Sequence, residues 1–384
     1  MPLLVKNMPE VRAKKAEKDA SEGEYYSLVL RKSDELSSRG FAWGYVGGLI
    51  SIVCILPLTF FLDIILVYQI AQVFAGIWWV AFVFGCSWRS LPARPGPPMP
   101  AGSSVVGRSL SHSLSGFTML CRLPVTGLLL LAWFLLSDGV FVIGSVGGIY
   151  ANSLVDWGCI PKSLGVAGLF FLVPVFAALG GHAFQALSVR FQWHSRTTVL
   201  LTVAVAAIVP LYGFLSYAPL PIGLRQGWEI LAVGCVYGTS VGAFQAFARS
   251  LFSTVIPAGH EGVLNSLYEL ADKGSSFIGP LVVSILQTTL NDLRPTMFYI
   301  LGMHVIGACI LGCLDIDKGV RDAAEFRDEL TEAAEAAGAL VEMPSIAEQA
   351  TKAIAEARTG GDSRITGRAV GIHAAHATSP EADI

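Results

Sequence analysis

Apolar stretches of about twenty residues recur along this chain, parted by short polar connections, and they restrict its fold more than any other feature. A run of that length crosses the hydrocarbon core of a bilayer as one helix, because only a helix satisfies its backbone polar groups within the segment. The runs are Phe41 to Leu62, Ile64 to Trp88, Val125 to Ala151, Leu164 to Val189, Thr197 to Tyr217, Ile230 to Leu251, Gly274 to Leu290 and Thr296 to Leu314. They predict an all-α integral membrane protein of about eight transmembrane helices. Asp63 alone parts the first two, so a tight helical hairpin is expected there. The seventh is short for a crossing unless its helix starts earlier, near Asn265.

Composition agrees that the solvent is lipid: 53% of the residues are hydrophobic and 14% charged, against roughly a quarter charged in a soluble domain. A net charge of −3 and the lack of a Lys/Arg-rich run with interleaved aromatics exclude a nucleic-acid partner. The seven cysteines form no C-x-x-C pair and sit mostly in apolar runs, where cysteine is ordinarily a small hydrophobe rather than a metal ligand or disulfide partner.

Lysine and arginine alternate between connections. The N-terminal segment and the stretches around Arg89 to Arg122, Arg190 to Arg196, Arg249 to Lys273 and Lys318 to Arg321 are basic, while the other connections hold only Lys162, Arg225 and Arg294. By the positive-inside rule, an even number of spans then puts both termini in the cytosol. The opening MPLLVKNMPEVRAKKAEKD is charged at once and lacks the apolar region of a signal peptide, so the first span is expected to serve as its own insertion signal.

Five segments follow. Residues 1–38 form a cytoplasmic N-terminal segment, 39–88 a two-helix hairpin, 89–122 a cytoplasmic linker whose RPGPPMPAGSS cannot continue a helix, 123–314 a six-helix bundle, and 315–384 a polar tail. One Ala/Glu-rich surface helix is expected at the start of the tail, with disorder beyond it.

No motif points to catalysis. Gly238-Thr239-Ser240-Val241-Gly242 matches the G-x-S-x-G nucleophile elbow, but it lies inside an apolar helical run with no strand before it to make the sharp turn. There is no H-E-x-x-H and no Gly-rich loop ending in Lys-Ser/Thr, so neither a zinc protease nor an ATP-driven pump is indicated. No enzyme activity, metal or cofactor is expected.

Glycines spaced by four occur at Gly40, Gly44 and Gly48, at Gly144 and Gly148, and at Gly234, Gly238 and Gly242. Such spacing lets helix backbones approach closely, for packing or as a sliding surface. Asp138, near the middle of the third span, is costly in lipid and should face the bundle interior or a watery cavity. Two readings stand side by side: a residue of the substrate or proton pathway, or an acid protonated or hydrogen-bonded between helices. Gln185, Tyr237 and Gln245 are weaker pathway candidates, since amides and phenols often only bond a neighbouring helix. Arg249, Glu269, Asp272 and Lys273 form a candidate gate cluster. Glu269 and Lys273 have the favourable i,i+4 order, Asp272 could reach Arg249, and Gly279-Pro280 should interrupt the helix just beyond. The plainer alternative is a solvated interfacial helix with ordinary ion pairs.

Several stretches, SSRGFAWGYVGG from Ser37, RPGPPMPAG from Arg94, LAWFLLSDGV from Leu131, GAFQAFARSLFSTVIPAGHE from Gly242, LYELADKGSSFIGPL from Leu267 and LDIDKGVRDAAEF from Leu314, resemble in this order the fungal autophagy-related protein twenty-two family. Those proteins are vacuolar amino-acid effluxers of the major facilitator superfamily. The resemblance implies a partial major-facilitator fold, whose full form has two six-helix halves. MPLLVKNMPEVR looks like the family segment after the fourth helix, which leaves two helices of the amino half and a complete carboxyl half. The function implied is efflux of leucine and other neutral amino acids across the vacuole membrane to the cytosol after autophagic degradation, with proton coupling an option. The alternative is an N-terminally truncated membrane protein that does not transport, or a regulatory subunit. The partners implied are small-molecule amino acids and the lipid bilayer. The resemblance assigns no substrate ligands.

Overall fold

The computed structural model describes residues 5, 7–17, 22–62, 64–90, 104–219, 221–257 and 259–336. Asp63, the Pro/Gly-rich stretch 91–103 and the tail 337–384 lie outside them. Two compact units divide the chain, residues 1–325 and 326–384. In the second, the described part is the end of one helix.

The helices are α1 (Pro9–Ala16), α2 (Glu22–Ile55), α3 (Ile64–Phe82), α4 (Val105–Arg122), α5 (Pro124–Ser153), α6 (Lys162–Phe191), α7 (Ser195–Gly213), α8 (Gly227–Thr254), α9 (Glu261–Ser275), α10 (Ile278–Leu290), α11 (Thr296–Cys313) and α12 (Ile316–Ala336). A 3-10 turn, Leu56–Phe60, follows α2, and a π-helical turn, Val83–Ser87, follows α3. Local chemistry sets several ends. The Ser104 hydroxyl caps α4 by accepting from the Gly107 amide at 3.0 Å, and Pro124 opens α5 where its missing N–H costs nothing. Gln192 and Asn291 close α6 and α10 in the left-handed conformation.

Among the described residues, seven helices are long and apolar enough to cross a membrane: α2, α3, α5, α6, α7, α8 and α11. The protein is an all-α, multi-pass membrane protein. The run expected as a span from Gly274 to Leu290 is not one continuous crossing helix. Its helix α10 has 13 residues, about 20 Å at 1.5 Å per residue, which is short of a bilayer core. Upstream, α9 adds 15 residues, and the two are parted at Ser276-Phe277 rather than at Gly279-Pro280. The proline explains the offset, because its ring clashes with the carbonyl four residues back and so displaces the break into the preceding turn.

The core lies between α5 and α8. In the most apolar part of α8 61% of residues are buried and in that of α5 56%, whereas for α3 the share is 0%, so α3 lies outside the packed bundle. α8 packs against α6, α7, α2 and α5. It meets α6 backbone to backbone: a Cβ on Gly242 would overlap the Ala177 carbonyl, and one on Gly180 would overlap the Thr239 backbone. Around Gly40, Gly44 and Gly48 there is open space instead.

An aromatic stack ties α5, α8 and α9. The Trp133 ring lies 5.0 Å from Phe244 and 4.8 Å from Tyr268, nearly parallel to both, and Phe252 closes on Tyr268 at 4.9 Å. At the end of the bundle bearing the Lys/Arg-rich connections, here the basic end, Thr126 donates to the Val255 carbonyl at 3.2 Å and Arg196 to the Leu314 carbonyl at 2.6 Å. At the opposite end Asp156 and Gln226 form an isolated β-bridge.

Candidate functional site

A seam of small polar side chains joins α2 to α6, α7 and α8 near the basic end. Ser37 donates to the Ala246 carbonyl at 2.7 Å, and Ser195 donates to Asp34 Oδ2 at 2.8 Å. Tyr45 donates to Gln245 Oε1 at 2.7 Å, and Ser38 reaches Gln185 Oε1 at 3.4 Å. Ser33, Asp34, Ser37 and Ser38 are all buried. Their spacing along the chain puts Ser33 and Ser37, and likewise Asp34 and Ser38, one turn apart on one face. Short side chains admit the neighbouring helices closely, and hydroxyl bonds can be exchanged for water when the helices part. Asp34 Oδ1 and the Ser250 hydroxyl face this contact without a well-formed bond.

Toward the opposite end, α5, α6, α7, α8 and α11 enclose a cavity of about 350 Å³, with Ile52 of α2 at its edge. Its walls are aliphatic and aromatic, typified by Ile143, Leu169, Phe170 and Ile300, and among the described residues its lining carries no Asp, Glu, Lys or Arg. Two phenols supply the polar atoms. Tyr237 fits against α5 because Gly144 leaves room for it: a Cβ there would stand 2.9 Å from the phenol oxygen. Tyr150 is buried, and its hydroxyl finds no partner among the described residues. Arg294 and Asp292 form an ion pair, 3.8 Å apart, in the connection before α11. A volume of this size suits a small organic molecule, held by apolar contact and oriented by few polar groups.

Asp138 is buried outside this cavity. It accepts from the Gly279 amide at 3.0 Å and from the Tyr299 hydroxyl, so it connects α5 to the first turn of α10 and to α11. A helix start carries unpaired N–H groups and a partial positive charge, and the carboxylate answers both where α9 and α10 are parted. Asp138 thus bridges α5, α10 and α11.

The four charged candidates form two ion pairs, Arg249 with Glu269 and Lys273 with Asp272. Arg249 pairs with Glu269, not with Asp272, and its guanidinium lies 5.7 Å from the centre of the Phe41 ring. Asp272 turns inward: Ser137 donates to it at 2.7 Å, and Lys273 reaches its other oxygen at 2.7 Å. The expected pairings of Asp272 with Arg249 and of Glu269 with Lys273 are therefore replaced. Three residues along a helix turn a side chain by about 300°, and on α9 that places Glu269 toward solvent and Asp272 toward α5.

Sequence reasoning passed over Asp34, Tyr150, Glu229 and His304. Asp34 sits in RKSDELSSRG and reads as part of a solvated segment, although its serines at four-residue spacing were a usable sign of a buried face. Glu229 receives the backbone amides of Gly223, Leu224 and Arg225 at 2.8, 2.6 and 3.3 Å, which fixes the loop before α8. His304 is buried with Nδ1 on the Ile300 carbonyl at 2.8 Å, while its Nε2 has no partner among the described residues. Among the described residues no group of three or more His, Cys, Asp or Glu side chains could hold a metal ion.

A sequence profile of the family described as "Vacuole effluxer Atg22 like" matches residues 1–324. Autophagy-related protein 22-1 of Aspergillus niger is 30% identical over 318 residues, covering 79% of this chain and 51% of that protein. Autophagy-related protein 22 of Coccidioides immitis is 28% identical over 375 residues, with coverages of 86% and 61%. Autophagy-related protein 22-1 of Penicillium rubens is 30% identical over 328 residues, with coverages of 79% and 53%. The chain thus spans 51% to 61% of the length of these relatives. With a profile match across most of its length on an all-α membrane bundle, the chain belongs to the Atg22-like vacuole effluxer family.

Proposed function

We propose that this chain carries the substrate cavity of a vacuolar membrane transporter releasing neutral amino acids with apolar side chains, leucine among them, from lumen to cytosol. The observation that supports this reading is the cavity of about 350 Å³, apolar in its walls and furnished with two phenols. A branched aliphatic or aromatic side chain would enter it, while the ammonium and carboxylate would stay near Asp292 and Arg294. The seam of α2 against α6 and α8 would be the closed gate at the other end, in keeping with access alternating around a central site. Lysine and arginine in the connections support placing the basic end in the cytosol, and both termini with it when α9 and α10 together make the eighth crossing. Asp138 enters as the residue steadying the broken helix. Proton coupling through it is tested by Asp138→Asn, which should abolish the pH dependence of flux if the carboxyl carries the proton.

Vacuoles preloaded with labelled leucine should release it faster with the protein than without it. Val233→Trp, which fills the cavity, should remove that difference while leaving the protein in the membrane. Equal release with and without the unaltered protein would favour the second reading, a membrane protein that does not transport, for which the bare flanks of α3 speak.

A further inference from the structure

Helix α4 lies immediately before the spanning helix α5 and carries an apolar face that no other described element covers. Leu110, Leu114, Phe117 and Cys121 recur at i, i+4, i+7 and i+11, which gathers them within one narrow stripe. All four are exposed, Leu110 by 60%, Leu114 by 57% and Phe117 by 49%. The helix meets the bundle along a different face: Gly116 and Met119 are buried, and Gly116 sits against Val263 and Leu267 of α9. The stripe is thus left free when α4 is docked.

Two observations indicate its occupant. One residue, the buried Leu123, separates α4 from α5, so the C-terminal end of α4 is held where a membrane-spanning helix begins. The sequence Val105–Arg122 contains Arg108, Arg122 and His112 and no acidic residue, a charge balance that suits an anionic surface. An amphipathic helix with basic residues and bulky apolar side chains lies in the bilayer interface, with its apolar face among the upper acyl segments. Basic groups within a Debye length of an anionic leaflet are drawn to it.

We propose that α4 is an interfacial helix that seats Leu110, Leu114 and Phe117 in the leaflet at the basic end and binds anionic phospholipid headgroups through its arginines. It pins the end of α9 to the membrane surface, because Gly116 holds α9 on the helix's other side.

The test uses the full chain in vesicles, carrying an environment-sensitive dansyl amino acid at position 114 or, on the polar side of the same helix, at position 111. Vesicles contain phosphatidylcholine alone or with phosphatidylserine, and trace lipids spin-labelled just below the headgroup. The probe at 114 should lie about 5–10 Å deep, emit to the blue of the probe at 111, and be quenched at least twofold more. Phosphatidylserine should increase that quenching, and the double substitution Arg108→Gln, Arg122→Gln should cancel the increase. Equal emission and quenching at 111 and 114 would overturn the proposal. So would a blue-shifted probe at 114 that no lipid quenches, since a protein surface would then cover the stripe. Quenching indifferent to phosphatidylserine would overturn the anionic-lipid assignment.

Discussion

Arg249 and Glu269 pair across the α8–α9 connection with side chains 44% and 47% exposed. Water screens such a pair, so it should contribute only about 0.5 kcal/mol. Asp272, three residues on, is buried and held by Ser137 and Lys273, and a buried carboxylate that loses a partner costs more than an exposed one. In a double-mutant cycle read by thermal unfolding in detergent, Arg249→Ala and Glu269→Ala should therefore couple by a few tenths of a kcal/mol. Arg249→Ala and Asp272→Ala should be additive. Ser137→Ala should cost about 1 kcal/mol, more than either exposed substitution. The sequence showed the charges beside an apolar run but not which of them points inward, because Glu269 and Asp272 differ only in helical phase.

At the scale of elements, the glycines of α8 illustrate how far spacing carries. Gly40, Gly44 and Gly48 have the same four-residue spacing as Gly234, Gly238 and Gly242, yet open space surrounds the first set while the second admits the α6 backbone. Spacing predicts a smooth face, and only the neighbour decides its use. Gly242→Leu should force α6 and α8 apart, since the added side chain meets the Ala177 backbone, which cannot rotate away. Overpacking of this kind costs about 1–3 kcal/mol or more. The expected outcome is a lowered unfolding temperature and faster hydrogen exchange in both helices. Gly44→Leu, facing open space, should leave both measurements near those of the unaltered protein.

At the scale of the whole molecule, the proposed transport requires α2 to part from α6 and α8 in each cycle. Ser37 and Ala246 are in direct contact across the seam. In a chain whose seven native cysteines are replaced by serine, cysteines at these two positions, joined by a short bifunctional thiol reagent that is cleaved by reductant, should hold α2 against α8. Leucine flux should then stop and return on cleavage, with single-cysteine controls unaffected. Unchanged flux in the joined protein would mean that α2 and α8 need not separate during transport.

Membrane class, the positions of most spans and the basic connections were all determined by the sequence alone, because a bilayer demands about twenty apolar residues per crossing and leaves the polar ones between. Asp138 stood out for the same reason, since an acid in such a run has no ordinary place. Tertiary structure alone decided how these features are used. It parted α9 from α10 upstream of Pro280 and set Asp138 at the start of α10. It also exchanged the partners of Arg249 and Asp272 and buried Asp34 within a segment that reads as solvated. Hydropathy records how much a residue prefers water, a property of its own side chain. Which carboxylate meets which amide, and whether a glycine face meets a backbone or open space, depends on residues distant in the chain, as with Asp138 and Gly279 or Gly242 and Ala177, and those pairings exist only once the helices have packed.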